Sequence, residues 1–163
     1  MLHQRMIGVV FVVTLTLSTA AIAQQGQFGT AAEAKAMLAK AVAAVKADKA
    51  KALELFNKGE EETGFKDRDL YPFCFNVGDG KVMVKRPGAT GDADFRGRDV
   101  RTIKDVTGKA SGEENYQAAQ KEEGTITEVS YMFPRPGTDT TPVQKVSFIT
   151  RVGDQGCGVG YYK

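Results

Sequence analysis

The chain has 163 residues, two cysteines, one histidine and a formal net charge of +2 at pH 7. This length is enough for one domain with its own core. The near balance of charge excludes the strongly basic surface that is typical of nucleic-acid binding, so we expect no nucleic-acid partner.

The first 23 residues have the pattern of a secretory signal peptide. A basic start containing Arg5 precedes an apolar run at residues 6–17, and Ala21-Ile22-Ala23 matches an A-x-A cleavage site. An uncleaved anchor is the alternative. Because no later apolar run is long enough to cross a membrane, we predict a periplasmic or secreted protein with no membrane insertion after cleavage.

Cleavage would also remove His3, the only histidine. Without imidazole, the mature chain cannot form a Ser-His-Asp or Cys-His catalytic group or a histidine metal site. We therefore expect no enzyme activity, no metal and no cofactor. An enzyme would need a different acid–base pair, such as two carboxylates converging in a cleft.

Residues 24–29 are predicted to be a flexible leader, and residues 30–163 a single domain. Thr30 and Glu33 have the spacing of a capping box. A long amphipathic helix is predicted to follow, with apolar side chains at helical spacing up to about Asn57. A bend at Asp48 would divide it into two helices.

Residues 69–87 are predicted to form a hairpin of two strands. Tyr71, Phe73 and Phe75 alternate along the first strand, a glycine-containing turn follows, and Val82 and Val84 resume the alternation. Beyond a loop at 88–94, residues 96–110 are predicted to form short helical turns. A second capping box at residues 111–114 is predicted to open a helix to about residue 123.

Three further strands are predicted at residues 125–133, 143–152 and 157–162, from alternating and β-branched sequence. The order is one long helix, two strands, a helical insert and three strands. It predicts an α+β fold with one five-stranded antiparallel sheet and helices on one face.

Cys74 lies in the first predicted strand and Cys157 in the last. An even number of cysteines in an exported protein favours a disulfide, which would require these two strands to be neighbours. Two buried free thiols are the alternative.

Four side chains on the predicted strands are candidates for a ligand site. Arg86 ends the second strand, Tyr131 and Phe133 share a face of the third, and Lys145 lies on the fourth. A cation that faces inward is costly unless it is paired, and a bound anion would pair it. The alternative is that both cations face solvent and the aromatic side chains belong to the core.

Glycines 156, 158 and 160 alternate near the end of the chain. They do not form a nucleotide-binding loop, because no helix follows them.

Six short motifs, taken in order, resemble a single Cache domain of the small, type 2 group. This group comprises extracytoplasmic sensor modules with a PAS-like sheet. The motifs are KDRDLYPFCF at 66–75, GKVMVKRP at 80–87, FRGRDV at 95–100, YMFP at 131–134, KVSF at 145–148 and GVGYY at 158–162. The resemblance covers about residues 30–163.

The resemblance implies a five-stranded antiparallel PAS-like sheet behind a long N-terminal helix, with the first and last strands adjacent and central. It also implies a pocket between the sheet and the segment 86–110, where members bind small organic acids or amino acids. By position, Arg86, Tyr131, Phe133 and Lys145 are the implied ligand-binding residues. The family often has histidine-proline where this chain has Arg86-Pro87.

These observations predict a stand-alone sensor or binding module for a small carboxylate ligand, with a membrane-bound signalling protein as a possible partner. The alternative is a structural or protein-interaction module whose pocket is filled by side chains.

Overall fold

A computed structural model describes residues 26–137 and 139–163, so the predicted signal peptide lies outside the described residues. The helices are α1 (Ala31–Ala47), α2 (Lys49–Lys58) and α3 (Ser111–Ala119), and the strands are β1 (Pro72–Asn76), β2 (Thr127–Pro134), β3 (Pro142–Val152) and β4 (Gln155–Tyr162). Short 3-10 turns lie at Glu61–Thr63, Gly91–Ala93 and Val100–Thr102. In the described part of the chain, no helix is both long and apolar enough to span a membrane.

Helix α1 begins at the predicted capping box. The Thr30 hydroxyl accepts a hydrogen bond from the Glu33 amide, and the Glu33 carboxylate accepts one from the Thr30 amide. Asp48 ends this helix in an extended conformation, and its carboxylate caps α2 by accepting from the Lys51 amide. The bend at Asp48 is therefore present, and it divides the segment into two helices.

The sheet is antiparallel, with strand order β1-β4-β3-β2. The first and last strands are neighbours, and Cys74 lies directly opposite Cys157 in their register. The two cysteines form the predicted disulfide. The α+β class and the adjacency of these strands are thus confirmed, whereas β1 lies at an edge of the sheet and is not central.

The prediction of five strands is wrong, because the segment after the first turn does not join the sheet. Only isolated bridges form there, between Phe75 and Val82 and between Lys81 and Asp99. The side-chain amide of Asn57 in α2 takes the place of a partner strand: it donates to the Met83 carbonyl and accepts from the Lys85 amide. The remaining backbone bonds of the segment go to the insert, at Val82, and to the Cys74 carbonyl of β1, at Met83 and Val84, without forming a regular ladder.

Helices cover both faces of the sheet, and not one face as predicted. On one face, Leu38 of α1 packs with Phe148 and Val159. On the other face, Ala118 and Ala119 of α3 pack against the strands.

The capping box predicted for α3 is also wrong, because this helix has no side-chain cap and ends at Ala119, before the predicted end near residue 123.

Candidate ligand-binding site

A cavity of about 70 Å³ lies between the α3 side of the sheet and the segment 82–103 that covers it. The four residues predicted to bind a ligand, Arg86, Tyr131, Phe133 and Lys145, all line it. Using about 10–15 Å³ for each water-sized group, the cavity has room for roughly five of them. A small organic acid such as acetate or propionate is of this size.

Lys145 is the chemical centre of the cavity. It is 1% exposed, and its Nζ donates a hydrogen bond to the Tyr71 hydroxyl at 2.9 Å. Four aromatic rings surround the amine, with centroids 4.3 to 5.4 Å from Nζ: Tyr71, Phe73, Phe133 and Tyr162. Among the described residues, Lys145 forms no ion pair.

This environment disfavours the charged form of the amine. Loss of hydration on burial, followed by repulsion from Arg86, lowers the pKa of Lys145 from 10.5 to about 7, and attraction to Asp69 opposes this only in part. The aromatic faces attract a cation, but they do not replace a carboxylate. The cavity therefore holds an amine that lacks an anionic partner.

Arg86 is half-buried on the wall of the same cavity. One of its guanidinium nitrogens, Nη1, donates to the Arg135 carbonyl at 2.8 Å, which fixes the side chain. In the described part of the chain, Arg86 has no carboxylate partner. Since a guanidinium has five N–H donors, several remain for a ligand.

No aspartate or glutamate is among the described residues that line the cavity, whereas Lys85, Arg86 and Lys145 are. The buried carboxylate of Asp69 lies nearby, but it accepts from the Gly29 amide at 2.7 Å and pairs with Arg135. Both oxygens of the Asp69 carboxylate thus already have partners, the Gly29 amide and Arg135. The electrostatic character of the cavity is that of an anion site.

The opposite wall combines a polar edge with an apolar surface. The Tyr131 hydroxyl lies 2.9 Å from the Ser147 Oγ, and burial raises the pKa of Tyr131, so that it stays a neutral hydroxyl. Phe133 packs edge-on against Tyr131 and faces Phe95 of the covering segment. Asn115 of α3 also lines this side.

The alternating glycines of β4 make the space for these side chains. A Cβ atom at Gly160 would collide with Lys145 Cε and lie 2.5 Å from Ser147 Oγ, and one at Gly156 would lie 2.6 Å from the Ala119 Cβ. Strand β4 therefore presents bare backbone on the face that Lys145 and α3 cover. Lys145 can lie across it, and α3 can approach closely.

Asp105 and Lys109, which directly follow the covering segment 82–103, connect it to the edge strand β2. One carboxylate oxygen of Asp105 accepts from the Met132 amide at 3.0 Å, and the other accepts from Thr107 and Lys109. Burial would raise the pKa of Asp105, but these hydrogen bonds more than compensate and hold it at about 2. The Lys109 Nζ donates to the Ser130 carbonyl. These bonds hold the end of the covering segment, which forms the roof of the cavity, against the sheet.

Several lining residues were not identified as site residues from the sequence. Tyr71 contributes the hydroxyl that contacts Lys145, although the sequence pattern placed it only on a buried face of the first strand. Ser111 and Asn115 reach the cavity from α3. They are four residues apart and therefore lie on one face of the helix, beside the buried Gly112. This spacing could have indicated from the sequence that both face the sheet.

A single antiparallel sheet has a long N-terminal helix on one face. On the other face, a cation-lined cavity lies beneath an insert. The helix, the insert and the cavity match what the resemblance implied, whereas the sheet has four strands and β1 lies at its edge. The chain has the fold of Cache domains.

The comparisons with solved structures support this assignment of fold. The chain is similar to a periplasmic sensor domain of a chemotaxis protein, with a TM-score of 0.57 and 21% identity, over 80% of this chain and 88% of that chain. It is also similar to a Cache chemosensory domain solved to explain carboxylic acid recognition, with a TM-score of 0.54 and 21% identity, over 80% and 86% of the two chains. The predicted location, periplasmic or secreted, agrees with the first of these similarities.

No protein-family model matches the sequence, and no curated protein matches it.

Proposed function

We propose that this protein is an exported sensor domain that binds a small carboxylate reversibly, without chemistry on the ligand. The observation that carries the proposal is the pair of basic side chains, Arg86 and Lys145, that line one cavity without a carboxylate partner among the described residues. A buried charge is normally paired, and a ligand carboxylate would supply the missing partner. The carboxylic acid bound by the similar Cache chemosensory domain supports the same class of ligand.

The lining favours a simple acid over an amino acid. An α-ammonium group would need a carboxylate to balance its charge, and the described lining offers neither aspartate nor glutamate; the unpaired Oδ1 of Asn115 is a neutral acceptor and does not supply that charge. The aromatic rings that could face an ammonium already surround Lys145. We therefore propose a ligand with one carboxylate, a short apolar end against Phe133, and no second positive charge.

A comparison of propionate, L-lactate and L-alanine tests this ligand class, because the three share a carbon skeleton and differ in one substituent. We expect propionate and L-lactate to raise the melting temperature and L-alanine to leave it unchanged. A ligand at 100 times its dissociation constant should add about 2.7 kcal/mol of stability. If no small acid shifts the transition, the proposed function is wrong.

Substitutions then test the proposed site. Lys145→Ala and Arg86→Ala should each remove the stabilisation by propionate, whereas Lys58→Ala, at an exposed ion pair at the end of α2, should retain it. If the first two variants respond like wild type, the ligand binds elsewhere.

A membrane-bound signalling protein is the proposed receiver of the binding event. The similarity to a chemotaxis sensor domain supports this type of partner. The alternative of a module with a filled pocket is disfavoured, because the cavity is large enough for acetate.

A further inference from the structure

The protonation state of Lys145 depends on the charged and titratable groups that surround its amine. The titratable and charged groups that face the amine come from every surrounding element. They are Asp69 and Tyr71 from the approach to β1, Lys85 and Arg86 from the covering segment, Tyr131 from β2 and Tyr162 from β4. Only Asp69 is an acid, and Gly29 and Arg135 already occupy its oxygens.

The hydrogen bonds around the amine are compatible with either protonation state. The Tyr162 hydroxyl donates to the Pro134 carbonyl, and the Tyr71 hydroxyl lies 3.5 Å from the Tyr162 oxygen and 2.9 Å from Nζ. A charged Lys145 donates to Tyr71, which then turns its proton toward Tyr162. A neutral Lys145 accepts the Tyr71 proton instead. Neither state leaves the hydroxyl without a partner.

We propose that above neutral pH the pocket binds a carboxylate together with one proton, with Lys145 neutral when the cavity is empty and protonated when the acid is present. This inference rests on the proposed function. The proton comes from solvent to Nζ, the anion comes to the resulting ammonium, and no covalent bond is formed or broken. The proton thereby offsets the negative charge that the monocarboxylate brings into the cavity, where a change in net charge is costly.

Affinity is then expected to depend on pH in a defined direction. Above neutral pH the amine must first take up a proton, so the dissociation constant should rise on the order of 50-fold between pH 7 and pH 9. A small acid stays ionised throughout that range, and its own titration does not contribute. A lysine that is charged in the empty pocket would give a constant affinity instead.

Isothermal titration calorimetry on the wild-type protein, with sodium propionate, tests the proposal. The dissociation constant is measured at pH 6, 7, 8 and 9, and the enthalpy at pH 8 is measured in phosphate and in Tris. These buffers differ in ionisation enthalpy, so the difference in measured enthalpy gives the protons taken up. We expect about 0.9 proton for each propionate bound at pH 8.

The outcomes separate this inference from the proposed function. A constant dissociation constant and equal enthalpies in both buffers overturn the proton linkage and leave carboxylate binding intact. If propionate, acetate and L-lactate all fail to bind even at pH 6, the proposed function is wrong, and the inference falls with it.

A direct titration of the amine adds a second measurement. In protein carrying ¹³C at lysine Cε, one resonance should titrate near pH 7 without propionate and above pH 9 at saturation. Lys145→Met should remove that resonance, and Lys58→Met should not. If all lysines titrate above pH 9 in the ligand-free protein, the proposal is overturned. The wild-type calorimetry decides it even if the methionine variant does not fold.

Discussion

Replacing Lys145 with methionine is expected to stabilise the ligand-free protein, and by more at pH 6 than at pH 9. Methionine fills a similar volume and carries no charge. The wild-type amine has a pKa of about 7 in the fold against an ordinary value of 10.5. Holding it charged in the cavity therefore costs stability.

The sign and the size of the pH effect follow from proton linkage. Between pH 7 and 10.5 the unfolded chain binds more protons at this position than the folded chain, so wild-type stability rises with pH. One pKa unit corresponds to about 1.36 kcal/mol, which gives a cost of roughly 5 kcal/mol at pH 6 and roughly 2 kcal/mol at pH 9. The advantage of the methionine variant should therefore shrink by roughly 3 kcal/mol, whatever else the substitution changes.

Urea denaturation at pH 6 and pH 9, with wild type and variant side by side, measures this difference. Other titrating groups cancel in the comparison. Lys58→Met, at an exposed position, should show no such pH dependence relative to wild type. If the difference in unfolding free energy between Lys145→Met and wild type stays the same at both pH values, the burial argument for Lys145 is refuted.

Three further predictions concern the glycine beneath Lys145, the disulfide and the bonds that hold the covering segment. Gly160→Ala should weaken propionate binding at least tenfold in calorimetry, because its Cβ displaces Lys145. Gly78→Ala, with open space around the new atom, should bind as wild type. Equal affinities of Gly160→Ala and wild type would show that the bare backbone at residue 160 does not position Lys145 for binding. Joint replacement of Cys74 and Cys157 by alanine should lower the unfolding free energy in urea by about 4.5 kcal/mol for a separation of 83 residues in the chain-entropy model, and an unchanged midpoint would contradict the disulfide. Asp105→Asn should cost roughly 1–2 kcal/mol at pH 7, because the amide loses charge-assisted bonds to Met132 and Thr107. The cost should fade as pH drops from 4 toward 2, where the wild-type carboxylate becomes protonated; a cost that persists at pH 2 would disprove the assignment to charge.

Local chemistry made the helix start and the adjacency of the first and last strands predictable. The Thr30–Glu33 capping box depends on residues three apart, and pairing Cys74 with Cys157 requires their strands to be neighbours. The four candidate site residues also meet in one cavity. Alternation along β2 and β3 had already assigned Tyr131, Phe133 and Lys145 to faces.

The sequence did not predict that the side chain of Asn57 in α2 would hydrogen-bond the backbone of Met83 and Lys85. Residues 82–84 have a strand-like pattern, yet their backbone bonds are divided among Arg98 and Gly97 of the insert, the Cys74 carbonyl and the Asn57 side chain of α2. No regular ladder forms, and the pattern of alternation carried no information about these partners. In the same way, the alternation that placed Tyr71 on a buried face carried no information about how close its hydroxyl lies to the Lys145 amine.

The glycines of β4 show how a sequence motif can carry function without contributing chemistry. The glycines at 156, 158 and 160 do not form a nucleotide loop, but their alternation leaves one face of β4 without side chains up to Tyr162. The vacated space is occupied by Lys145, Phe73 and Ala119, which come from three different elements. A side chain at residue 160 would meet Cε and Cγ of Lys145, so any larger residue there would displace the side chain that carries the amine. The bare backbone at residue 160 thus lets Lys145 lie fully buried, and burial is the main cause of its lowered pKa and of the pH range in which we propose that carboxylate binding takes up a proton.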